Sequence, residues 1–254
     1  MPAKYYERKD IENLLFQLSK ELKKEFGRKA KFEIIVVGGA SVLFNYDFRK
    51  STTDIDGFLS NSYSIKDAIR RVADNNGISA EWLNSDFVNT ESYSTKLLVY
   101  SKSYKTFNQV LSIRTVKDEY LIAMKLMSGR LYKNDFSDIC GILNENQNLD
   151  EKSVLQAFQN LYGDKRIPSA AWTKFKEILH SEKTYEEIER EEKINHDIVI
   201  NLQASQHKLT EEVVQDVLAN TPRTSLDELI KAAKADHEKL EQPEPSNKNK
   251  EYER

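Results

Sequence analysis

The chain is predicted to be α+β: a mixed module of about 145 residues, then an all-helical region. Three observations carry this. A β-branched run, Ile34 to Val37, ends in the pair Gly38-Gly39. Strand-length segments alternate with helical stripes as far as Leu143, and no strand signal reappears after about Asn146.

Lys9 to Phe26 reads as the opening helix, with Ile11, Leu14, Leu15, Leu18 and Leu22 on one stripe and Gly27 closing it. A strand is expected over Phe32–Val37, a short helix over Ala40–Asn45 and a second strand over Asp54–Leu59. Ile65, Ala68, Ile69 and Val72 set a helix from Ser64 to Asn75, ended by Asn76-Gly77. Further strands are expected at Lys96–Tyr100 and Val110–Val116, then helices at Glu119–Leu131 and Asp135–Leu143. Beyond them, Asp150 is placed to cap a helix bearing Val154, Leu155, Phe158 and Leu161. Thr184 with Glu187 and Ser225 with Glu228 form capping boxes. The expected organisation is 1–146 for the mixed module, 147–240 for the helical region and 241–254 for a tail with nothing to pack.

Composition narrows the classes. Charged residues make up 31% and hydrophobic ones 39%, as in a water-soluble chain, and Ile34–Val37 is far too short to span a bilayer. No membrane partner is therefore expected. The segment from Met1 to Arg8 lacks the apolar core of a secretory leader, and Cys140 is the sole cysteine, so the expected compartment is a reducing cytoplasm. A net charge of −3 argues against broad coating of nucleic acid but leaves room for a local basic patch.

The chemistry sits in the first module. A strand has a period of two, so Asp54 and Asp56 share a face and repel unless a cation lies between them. An isolated Asp-x-Asp reads first as a solvated turn; next to Gly38-Gly39 it points to metal plus phosphate. Ser41 could donate to the same phosphates or cap its own helix. Lys125 lies in the nearly all-apolar segment Leu121–Met127, so it needs an anion to meet or a route by which to snorkel. Asp135 and Asp138 share a helical face. They either pair with Arg130 or Lys125, or one of them orients Lys125 or acts as a base. The four histidines, all in the helical half, are not spaced as a metal site.

The order Gly38-Gly39, then Arg49, Thr52, Asp54 and Asp56, then Trp82-Leu83-Asn84, then Ala123, Lys125 and Arg130, then Asp135, Asp138 and Ile139, resembles the minimal nucleotidyltransferases. More narrowly, it is similar to the AbiEii-like and MenT-like proteins of toxin–antitoxin and phage-defence loci, which belong to the DNA polymerase β superfamily. The resemblance covers roughly residues 34 to 143. It implies a mixed sheet flanked by helices, and transfer of a nucleoside monophosphate from a nucleoside triphosphate to an RNA (tRNA-like) or protein hydroxyl. It implies Asp54 and Asp56 as ligands of Mg²⁺ (or Mn²⁺), Lys125 on phosphate or on the transition-state charge, and Asp138 or Asp135 completing the catalytic group. Gly38, Gly39, Ser41, Arg49, Thr52 and Arg130 would bind nucleotide, and an antitoxin protein is an implied partner. Two departures stand out. Ala40 occupies the place of the usual hydroxyl residue, and Leu111–Val116 lacks the third strand carboxylate. They motivate the alternative reading, a nucleotidyltransferase-fold interaction module without chemistry.

Overall fold

The computed structural model describes residues 5–59 and 62–204. The Ser225–Glu228 capping box and the tail from residue 241 lie outside them. The described chain falls into two units. One comprises residues up to Arg130 together with Asn134–Glu189; the other comprises Leu131–Lys133 and the chain from Arg190.

Helix α1 (Arg8–Phe26) buries Ile11, Leu14, Leu15, Leu18 and Leu22, the predicted stripe, and Gly27 ends it at φ 82°. Next come β1 (Phe32–Val36), α2 (Gly38–Asn45), β2 (Ile55–Leu59), α3 (Ser62–Asn76) and the two-residue β3 (Leu83–Asn84). Strands β4 (Ser101–Phe107) and β5 (Leu111–Val116) form a hairpin, reversed through Asn108 and Gln109, both at positive φ. Helices α4 (Asp118–Ser128), α5 (Asp135–Glu145), α6 (Glu151–Tyr162), α7 (Ser169–Leu179) and α8 (Tyr185–Ala204) follow. Sheet order is β3-β2-β1-β5-β4, with β1 antiparallel to β2 and parallel to β5. The fold is thus α+β, a mixed sheet flanked by helices with a helical C-terminal part.

Register decides which residues can reach a site. Ile34 stands opposite Leu59 and Ile113, and these positions join Leu14, Leu18 and Val72 in the core. The alternate positions of β2, including Asp56, take the other face. Trp82 belongs to the core at 2% exposure, its indole N–H donating to the Ile69 carbonyl.

Two elements differ from the sequence reading. Lys96–Tyr100 is no strand: Thr95–Leu98 is a 3₁₀ turn, and pairing starts at Ser101. The apolar Leu97-Leu98-Val99 run imitates a strand, whereas the real one is an edge with a single half-buried face. Helix α2 starts at Gly38 itself. Helices α6 and α7 pack on α4 and α5 within the first unit. The capping boxes of Asp150 with Ser153 and Thr184 with Glu187 both form. In the second unit, the Asn195 amide donates to the Leu131 carbonyl. No helix among the described residues is long and apolar enough to cross a membrane.

Candidate active site

Helix α2 opens where β1 ends. Gly38 holds φ 58°, a left-handed value that glycine adopts without cost. The preceding Val37 offers no side-chain cap, so the N–H groups of the first turn have no acceptor inside the helix. The Val37 N–H donates to the Asp56 carbonyl at 2.9 Å, which ties the turn to β2. A Cβ built on Gly38 would stand 3.7 Å from Asp56 Oδ2, so this carboxylate lies beside the helix start.

A cleft of about 240 Å³ opens here. Gly38 and Asp56 line one side; Leu121, Met124, Lys125 and Ser128 line another, the 3,4-spaced face of α4. Arg130 and Asp135 also border it, and Asp86, Phe87, Thr90 and Ser92 form the remaining wall. Those last four were not foreseen from sequence. The available signal is proximity to Trp82-Leu83-Asn84, since β3 lies parallel to β2 with Asn84 opposite Asp56 and carries the chain on to Asp86.

Behind the cleft runs a chain of alternating charges. Arg49 Nη1 meets Asp138 Oδ2 at 2.5 Å, and Lys125 Nζ meets the same oxygen at 2.7 Å. Lys125 also reaches Asp135 Oδ1 and the Asn134 carbonyl, each at 3.3 Å. Arg130 closes the chain by gripping Asp135 with Nε at 2.9 Å and Nη2 at 3.3 Å. Three cations thus face two carboxylates. The Lys125 side chain is 6% exposed and Asp138 fully buried, so each charge depends on its neighbours. Bare glycines allow this packing. A Cβ on Gly39 would lie 2.5 Å from Arg49 Nη2, and one on Gly141 would lie 2.5 Å from the Phe48 ring.

Burial opposes ionisation of Asp135, but the charges of Lys125 and Arg130 outweigh it and hold the carboxyl below its usual range. Burial likewise works against the Arg49 charge, and Asp138 overcomes it and raises the guanidinium's pKa. A lowered carboxyl pKa stabilises the fold above the unfolded value of about 3.9, and that contribution is lost as pH falls through the folded value. The melting temperature is therefore expected to fall below about pH 4, and by less in Asp135→Asn than in wild type. Equal acid sensitivity in a pH series of thermal melts would contradict this.

The predicted residues are thus divided. Gly38, Asp56, Lys125 and Arg130 meet at the cleft. Asp54, which precedes β2, is exposed and accepts from the Thr53 hydroxyl at 3.3 Å. Several residues sit outside the lining. Ser41 is fully buried and its oxygen accepts from the Val116 N–H, so it ties α2 to β5. Thr52 is also buried; its hydroxyl donates to the Asp54 carbonyl and its backbone pairs with Tyr6. Asp138 lies outside the cleft lining, with one oxygen between two cations. Arg49 lies over Gly39 and binds Asp138 and the Ser51 carbonyl.

Gly39→Ala is expected to push the guanidinium off Asp138 and cost about 1–3 kcal/mol, as overpacking of a filled site does. In an Arg49→Ala background the same change should cost almost nothing; equal costs in both backgrounds, read from denaturant melts, would refute the contact.

Among the described residues no three His, Cys, Asp or Glu side chains converge to hold a metal unaided. Cys140 is buried against the Lys183 carbonyl, and burial pushes its thiol up to about 11, so it offers no reactive thiolate.

No curated protein and no solved structure matches the chain. A family described as "Nucleotidyltransferase of unknown function (DUF6036)" matches it over residues 13–193, a span that takes in β1, the glycine turn, Asp56, the whole charge chain and all the cleft-lining residues. With most of its length covered, the chain belongs to this nucleotidyltransferase family.

Proposed function

We propose that the chain is a metal-dependent nucleotidyltransferase. It moves a nucleoside monophosphate from a nucleoside triphosphate to a hydroxyl of an RNA (tRNA-like) or of a protein. The AbiEii-like and MenT-like motif order adds a setting, a cytoplasmic toxin–antitoxin or phage-defence system with an antitoxin partner. The supporting observation is a single cleft that gathers an uncapped helix start at Gly38, the Asp56 carboxylate, and Lys125 with Arg130.

The donor set suits a hard cation. Mg²⁺ takes one or two carboxylates and fills its shell with water and phosphate oxygens, so Asp56 at the cleft would hold it, with Asp54, beyond the lining, as the second ligand and no third acid needed. When bound, Mg²⁺ (or Mn²⁺) would neutralise charge on the phosphates and on the attacked phosphorus. The chain's own residues do the rest. N–H groups at Gly38 and Gly39 meet phosphate oxygens under the partial positive charge of the helix end. The charge chain carries one surplus positive charge, and Arg130 brings it to the cleft wall. The acceptor hydroxyl attacks the α-phosphorus and gives its proton to water, the bond to the bridging oxygen breaks, and pyrophosphate leaves.

The test is incubation with each labelled nucleoside triphosphate, Mg²⁺, and total tRNA or cell lysate. Label is expected in RNA or protein with wild type and not with Asp56→Asn. No label in either acceptor with any nucleotide would refute the proposal.

One observation favours a second reading, a nucleotide-binding module without chemistry. The three N–H donors of Lys125 are all taken by Asn134, Asp135 and Asp138, leaving none for a phosphate. Calorimetric nucleotide binding with no label transfer would select that reading.

A further inference from the structure

The end of the sheet opposite the cleft carries a concentration of positive charge, most of it exposed and none of it lining the cleft. Between Lys20 and Lys31 there are six cations and two carboxylates in a chain whose net charge is −3. Both carboxylates are engaged, Glu21 by Arg71 at 2.9 Å and Glu25 by the same guanidinium. Lys20, Lys24, Arg28, Lys29 and Lys31 are exposed. Lys23 and Lys24 suit the negative end of α1, but Arg28, Lys29 and Lys31 lie beyond that helix and gain nothing from its dipole.

Aromatic rings are set among these charges. Phe16 and Phe26 are each 39% exposed, a costly state for phenyl rings in water. Lys20 stands 4.3 Å from the Phe16 centroid, and Phe26 leans on Phe32 at 5.2 Å, so both rings are fixed in place. Lys31 donates to the Gln109 carbonyl, joining the patch to the β4–β5 hairpin.

We propose that this face, formed by the second half of α1 and the segment to Lys31, docks the backbone of an RNA. Cations that track phosphates, with rings on which bases stack, are the arrangement by which proteins hold single strands with little regard to sequence. The proposal rests on the transferase reading for its choice of RNA as the occupant. Strand β1 runs from the patch to the Gly38 turn, a span of about 20 Å. A mononucleotide cannot bridge that distance, whereas a folded RNA with its end in the cleft can. The lysines on and after α7 are less suited, because Lys174 and Lys183 both pair with Glu177.

The experiment is fluorescence anisotropy over a salt series, using a labelled single-stranded RNA of about 20 nucleotides and unfractionated tRNA. Wild type is compared with the triple variant Lys24→Gln, Arg28→Gln, Lys29→Gln. These side chains are exposed, so the melting temperature should not move. The variant is expected to bind at least about tenfold more weakly, and the slope of log K against log salt should shrink by about 2–3. Lys24→Arg with Lys29→Arg should retain binding. An unchanged affinity in the Gln variant overturns the proposal, as does binding of phosphatidylserine vesicles in place of either RNA. Label transfer to RNA with a patch-independent affinity would sink this inference alone. Patch-dependent RNA binding with no transfer would sink the transferase reading alone.

Discussion

Asp138→Ala is expected to destabilise the fold by about 3–5 kcal/mol, the cost of leaving buried charges without their partner. Its Oδ2 serves Arg49 and Lys125 together, and both cations are largely shut away from water. Removing the carboxylate strands the two at once. For a unit of this size the melting temperature should drop by roughly 10 °C. Asp138→Asn keeps the shape and loses the charge, so it should recover little. A fall below about 2 °C in either variant would show that solvent already screens the pair. This expectation separates Asp138 from a catalytic base, whose removal would spare stability and abolish turnover.

The second large effect concerns the aspartate pair. Asp56→Asn should lower nucleotidyl transfer by on the order of 10²–10³-fold, the range typical of losing one group that stabilises transition-state charge. Asp54→Asn should cost clearly less, because Asp54 is exposed and outside the cleft lining while Asp56 stands beside Gly38. Initial rates with the preferred nucleotide measure the contrast. A larger loss at Asp54 than at Asp56 would reverse the assignment. Melting temperatures of both variants should stay near wild type, since neither aspartate belongs to the buried charge chain.

What the sequence made legible follows from how local each signal is. The stripe of α1, the β-branched run of β1 and the apolar α4 are written in consecutive residues, and their limits fall within one to three positions of expectation. The glycine turn and the Asp54–Asp56 alternation are equally local. The cleft's outer wall was hidden because Asp86 and Thr90 gain meaning only when β3 lies beside β2, across the whole of α3. The roles of Arg49 and Asp138 were hidden for the same reason: they meet across 89 residues. Ser41 carried a true ambiguity, since a first-turn hydroxyl can meet a ligand or cap its own helix, and its bond to the Val116 N–H joins positions 75 residues apart. The change near residue 146 from mixed to purely helical sequence is local too, and α6 and α7 beyond it pack on α4 and α5.

The central position of β1 has a consequence for the ribosome. One edge of β1 is satisfied by β2 soon after it emerges, but the other waits for β5, about 80 residues later. At about 5–20 residues per second, that edge stays open for roughly 4–16 seconds of synthesis. A nascent chain stalled before Val116 therefore presents an apolar strand with unmet N–H and C=O groups, a template for pairing with other chains. Pause sites and chaperone encounters within that window, more than any later event, should decide how much of this protein reaches its native state.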